Sequence, residues 1–262
     1  MAVATIDNSQ GAIMRSNYTT PTSWDYAHDL TSANNITTTS TSGTGLTVGV
    51  GFSGYGGGTY YIYRTYLDFD LSSIPAGSTI NSATLKLYGA SISSPHFSIA
   101  VYESDFIVLQ GTFTDGSTLA ADMFDQFSGF QAGWDGTDAG IIEYSGEEHS
   151  SWSTSGYNET TLNATCRSDI ASRAGGSTRL AMVLMNHDHD YHDNVNGEDG
   201  NALNASYDVY VVNFNINPSS ANPPQLVVDY TEVAADPALP PTRVTVNSGI
   251  LKVKGGNLKI GT

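Results

Sequence analysis

The densest gathering of groups able to do chemistry is the run Asn186-His187-Asp188-His189-Asp190-Tyr191-His192-Asp193-Asn194, with Glu198 and Asp199 close behind. Alternate carboxylates on a turn present hard oxygen donors of the kind Ca²⁺ takes. Asp188, Asp190, Asp193, Glu198 and Asp199 therefore form a candidate Ca²⁺ set. Their spacing is not that of an EF-hand loop. On an extended backbone His187 and His189 share one face, which suits Zn²⁺ instead. A solvated loop accommodates the same residues with no ion. The readings stand open: no cofactor, or Ca²⁺ as the first ion to consider.

A second group is aromatic. Trp134, in Gly133-Trp134-Asp135-Gly136, falls on a predicted loop, and with Tyr55 and Trp24 it is a candidate carbohydrate-stacking platform. The competing assignment for any one of these rings is the core. Asp68 and Asp70 are paired carboxylates, but glycoside hydrolysis needs a partner about 5–9 Å away, and strand alternation turns both toward solvent. Cys166 is the single cysteine, with no histidine motif beside it, and reads as a small buried side chain. The glycines at 54–58 open a strand and not a helix, so they do not form a phosphate cradle. No nucleophile elbow or zinc-hydrolase helix occurs, and the expectation is a non-enzyme.

The elements that must position these groups are strands. Thr, Ser, Asn, Gly and Tyr dominate, suiting pleated surfaces and turns. Leu46 to Phe52 is an apolar piece. From Tyr60 to Leu71 a strand alternates at its end, and Ile74-Pro75-Ala76-Gly77 reads as a turn into a second alternating strand, Ile80 to Tyr88. Phe97 to Tyr102, Phe106 to Phe113, Tyr157 to Leu162, Tyr207 to Ile216 and Gln225 to Thr231 continue the pattern. Arg179 to Met185 is nearly all apolar and predicts a central strand. Residues 163–174 predict one helix of about three turns, closed by Gly175-Gly176. The fold class is all-β: an antiparallel β-sandwich, of jelly-roll type, with one short helix and a C-terminal β appendage.

The predicted domains are a sandwich over 1–231, a Pro-containing linker over 232–241 and a basic tail over 242–262. The chain is acidic, with net charge −16, which argues against nucleic acid or an anionic membrane as partner. The tail reverses that sign with Arg243, Lys252, Lys254 and Lys259 and no acid. It also repeats weakly, Gly249-Ile250-Leu251-Lys252-Val253 and Gly256-Asn257-Leu258-Lys259-Ile260. Two short strands bury no core alone, so these four basic residues are candidate docking residues for a neighbouring copy or a partner. The N-terminus reads as no secretory signal.

The segment Arg64-Thr65-Tyr66-Leu67-Asp68-Phe69-Asp70-Leu71-Ser72-Ser73-Ile74-Pro75-Ala76-Gly77, followed by Ile80-Asn81-Ser82-Ala83-Thr84-Leu85-Lys86-Leu87, resembles the DNRLRE-type family of β-sandwich domains. Trp152 to Asn158, running into Thr161-Leu162-Asn163-Ala164, and the closing Pro224 to Tyr230 are similar to that family in the same order. The resemblance covers roughly residues 12–231. It implies a jelly roll close to carbohydrate-binding modules, found in secreted surface proteins and in tailed-phage virions. The middle motif is most similar to the phage-type versions. The resulting expectation is a non-enzymatic structural protein of a phage virion, such as a capsid decoration, head-fibre or tail-surface protein. By analogy it would be a homo-oligomer, taken as a trimer, contacting other virion proteins and a host-surface glycan. The alternative is a secreted or surface carbohydrate-binding module.

Overall fold

The computed structural model describes residues 1–19, 24–29, 35–38, 46–53, 58–93, 98–104, 140–145, 151–193, 203, 207–215 and 221–233. Ten strands make up most of this: β1 (Ala2–Thr19), β2 (Asn35–Thr38), β3 (Leu46–Ser53), β4 (Thr59–Phe69), β5 (Thr79–Ile92), β6 (Ile99–Glu103), β7 (Tyr157–Thr161), β8 (Leu180–Asn186), β9 (Tyr207–Phe214) and β10 (Gln225–Thr231). Two helices accompany them, α1 (Trp24–His28) and α2 (Ala164–Arg173). A single π-helical turn spans His187–Tyr191. The protein is an all-β antiparallel sandwich with a small helix. No helix among the described residues is long and apolar enough to cross a membrane.

Two strands belong to both layers. The start of β1 pairs with β10, and beyond an irregularity at Asn8/Gln10 the rest pairs with β4 and β2. In the same way β5 pairs first with β10 and β7 and then, at its end, with β9. One sheet is thus β1-β10-β5-β7. The other contains β2-β1-β4, with β3-β9 and β8-β6 both reached through β4. The 18-residue β1 has no counterpart in the predicted elements. Its Ala, Ser, Asn and Gln positions carry little apolar alternation for a pattern reading to find.

Parity explains the core. In β5, Ala83, Leu85 and Leu87 point inward and are buried, as their alternation predicts. They meet Leu226 and Val228 of β10, Leu67 and Phe69 of β4, and Cys166 and Ile170 of α2 in the inter-sheet core. Asn163 caps α2 by accepting the Cys166 N–H at 3.1 Å, and Gly175 follows it at φ 68.

The second sheet is covered on its outer face as well. In β8, Leu180, Met182 and Leu184 enter the inter-sheet core, while Ala181, Val183 and Met185 enter a second core. That two-sided burial is what the unbroken apolar run Leu180–Met185 requires. The second core also holds Trp24, Ile62, Tyr66, Tyr102 and Tyr210. One expectation is corrected here. Asp68 shares the outer face with Arg64 and Tyr66, but that face is not solvent: Asp68 is 1% exposed and pairs with Arg179 at 2.7 Å. Asp70, at the strand end, is exposed as predicted.

Gly49 lets β3 serve both cores. Val48 and Val50 would share a face in a regular strand, yet Val48 lies in the inter-sheet core and Val50 in the outer one. Gly49 between them has φ 137, which side chains rarely adopt.

The chain divides into a compact unit, Met1–Glu232, and a second unit, Val233–Thr262. The basic residues Arg243, Lys252, Lys254 and Lys259 lie outside the described residues, as does the predicted strand Phe106 to Phe113.

Candidate functional site

Titratable groups converge on the outer face of β4. Arg64 projects from that strand between Ile62 and Tyr66, and its side chain is fully buried. A guanidinium cannot lose its proton, so it must meet a carboxylate there. Asp190, on the π-helical turn, supplies it: Arg64 Nε donates to Oδ2 at 3.0 Å and Nη2 to Oδ1 at 2.7 Å. The Asp190 side chain is likewise 0% exposed. This planar two-point pairing is the form in which a buried ion pair is best tolerated.

The turn that carries Asp190 is built locally. Asn186, the last residue of β8, accepts the His189 N–H at 2.8 Å through its side chain, and His192 N–H closes on the His187 carbonyl at 3.3 Å. Asp193 follows with φ 47, a left-handed conformation that aspartate tolerates better than most residues. His189 stacks on Tyr210 with ring centres 5.4 Å apart, which holds the turn against β9.

Helix α1 completes the group. Trp24 and His28 are four residues apart and so share one helical face, their rings stacked at 5.8 Å. Trp24 Nε1 donates to Asp193 Oδ1 at 2.7 Å. His28 is fully buried, and its Nε2 lies 2.7 Å from the Asp190 carbonyl oxygen. Its Nδ1 lies 3.0 Å from Asp29 Oδ1 and 3.1 Å from Asp193 Oδ1. One ligand atom from each of His28, Asp29 and Asp193 falls within 4.8 Å of the others, a set that could hold a metal ion. Such a site joins helix α1 to the turn that follows β8, distant in the chain, beside the Arg64–Asp190 pair.

Trp24 is corrected as a stacking residue: it is 3% exposed and its indole N–H is bound to Asp193, so it offers no open face. Trp134 and Tyr55 lie outside the described residues, as do Glu198 and Asp199. Asp188, Asp190 and Asp193 do not form one oxygen cage. Asp190 is held by Arg64, Asp188 lies 3.4 Å from His187 Nδ1, and only Asp193 joins a potential ligand group. His187 and His189 do not share a face either, because the segment is helical and not extended. His187 stacks on Tyr191, whereas His189 stacks on Tyr210. Cys166 is buried as expected, and burial, aided by the Asp169 charge, pushes its thiol well above the ordinary range. His28, Asp29 and Arg64 were missed as site residues. The available signals were an arginine inside an aromatic strand and the Trp24/His28 spacing followed by Asp29.

Compared with known proteins, the chain matches no family model and no curated protein.

Proposed function

We propose that this chain is a non-enzymatic structural protein of a phage virion. Its sandwich is displayed on the particle and its basic C-terminal segment docks it there, to a neighbouring copy or another virion protein. The observation that carries the reading is the opposition of charge between the two units. Val233–Thr262 holds Arg243, Lys252, Lys254 and Lys259 against one acid, Asp236, while all the other acidic residues belong to Met1–Glu232. A cationic segment on an anionic body favours contact with the acidic surface of a neighbour, and it does so in a salt-dependent way. The resemblance of the middle motif, Trp152 to Asn158 running into Thr161-Leu162-Asn163-Ala164, to phage-type sandwich domains supports the same reading. The all-β body agrees with it, since a rigid sandwich suits display at a surface.

The test is incorporation. The full chain should co-purify with particles assembled in its presence, and a chain lacking residues 238–262 should not. Equal incorporation of both would contradict the docking role.

A further inference from the structure

We propose that His28, Asp29 and Asp193 bind one divalent transition-metal ion, with Zn²⁺ the best fit, which ties helix α1 to the segment that follows β8. His28 Nε2 lies 2.7 Å from the backbone carbonyl of Asp190, and a carbonyl only accepts, so Nε2 carries a proton and donates it. In the neutral ring Nδ1 then presents its lone pair. That atom, and not Nε2, is the one aimed between the Asp29 and Asp193 carboxylates at 3.0 and 3.1 Å. A ring nitrogen that donates to a backbone carbonyl while the other faces anionic oxygens is the arrangement that orients metal-bound imidazoles.

The dimensions fit a small ion. With metal–ligand distances of about 2.0–2.2 Å, separations of 3.0 and 3.1 Å correspond to ligand–metal–ligand angles of roughly 90–100°. These lie between the octahedral and tetrahedral values. The nitrogen donor argues against Ca²⁺, which takes oxygen, and imidazole with carboxylates suits Zn²⁺ among the common divalent ions.

The site is also graded from core to solvent. The side chains of His28, Asp193 and Asp29 are 1%, 18% and 30% exposed. An ion would enter from the Asp29 side, with water completing its coordination. Trp24 Nε1–H, bonded to Asp193 Oδ1, holds that carboxylate in place. None of this depends on the C-terminal segment, so the inference stands apart from the docking role.

The test uses the full chain without an affinity tag, stripped with a chelator and titrated with ZnCl₂ by calorimetry. Co²⁺ absorption serves as a second readout. One ion per chain should bind and raise the thermal midpoint. Asp29→Asn and Asp193→Asn should each weaken binding at least tenfold and lose that rise. Asp29 is partly exposed, so Asp29→Asn should fold, which circular dichroism checks. Absence of binding to the folded wild-type chain would overturn the proposal. So would unchanged affinity in both variants, which would put the ion elsewhere. Nitrogen NMR showing protons on both His28 ring nitrogens in the presence of Zn²⁺ would replace the ion with an imidazolium bridging the two carboxylates.

Discussion

Arg64→Met isolates the energetics of the outer core. The substitution keeps side-chain length and apolar contact with Ile62 and Tyr66, but removes the guanidinium. Asp190 would then be a carboxylate at 0% exposure without the group that donates to both its oxygens. Breaking a buried pair from one side costs about 3–5 kcal/mol, because the remaining charge is neither solvated nor compensated. Typical domains are stable by only about 5–15 kcal/mol, so this is a large share of the total. For a body of this size it corresponds to a fall in Tm of roughly 6–20 °C. Replacing both partners, Arg64→Met with Asp190→Leu, removes the charges together and should recover much of the loss. Urea unfolding of the wild type, both single variants and the double variant completes the cycle. If Arg64→Met costs less than about 1 kcal/mol, below the range for a buried pair, then Asp190 is not confined as described. If the double variant is as unstable as the sum of the singles, the pair is not an isolated electrostatic unit.

Further outcomes follow from other parts of the fold. Gly49→Ala should destabilise the protein by more than about 2 kcal/mol in urea unfolding, at the upper end for single substitutions. The new Cβ would collide with the Tyr210 carbonyl and sit 2.9 Å from Val211 Cα, at a φ of 137 that alanine disfavours. A thiol reagent should leave Cys166 unmodified in the folded protein and react only on unfolding, because burial holds the thiol protonated. Fast modification of native protein would show Cys166 to be accessible. Asp70 accepts the Ser72 N–H at 2.9 Å, and that bond, with help from the Ser72 hydroxyl, lowers its carboxyl below the ordinary value of 3.8. A depressed folded-state value means the stabilisation is present above the unfolded value and is lost as pH falls through the folded one. Asp70→Ala should therefore flatten the stability profile on the acid side of about pH 4, while an unchanged acid limb would contradict the assignment.

How far the sequence reached is clearest in single elements. The run Leu180–Met185 announced a strand buried on both faces, because no alternation breaks it. The helix at 164–173 was legible from Asn163 before it and the glycines after it, a capping residue and a terminator of distinct chemistry. The burial of Ala83, Leu85 and Leu87 follows the alternation legible over Ile80 to Tyr88. Asp68 was misplaced for a reason the same parity could not reveal. Alternation says which side of a sheet a residue takes, but not whether that side is covered, and here α1, the π-helical turn and Leu203 contribute to the cover. The site was the least legible part. Residues 186–199 drew notice because their groups are adjacent in sequence, but adjacency there becomes a helical turn that sends neighbouring side chains apart. His28 and Asp193 meet because α1 packs on β4 and because β8, which leads into the π-helical turn, pairs with β4, a long-range pairing that no local pattern encodes.

Self-association through the basic C-terminal segment, the form of docking in which the partner is a neighbouring copy, is tested most directly by solution mass. Light scattering after size exclusion would compare the full chain with a chain ending at Pro237. A defined homo-oligomer is expected for the full chain and a folded monomer for the shortened one. Monomers in both cases, or the same oligomer in both, would contradict it.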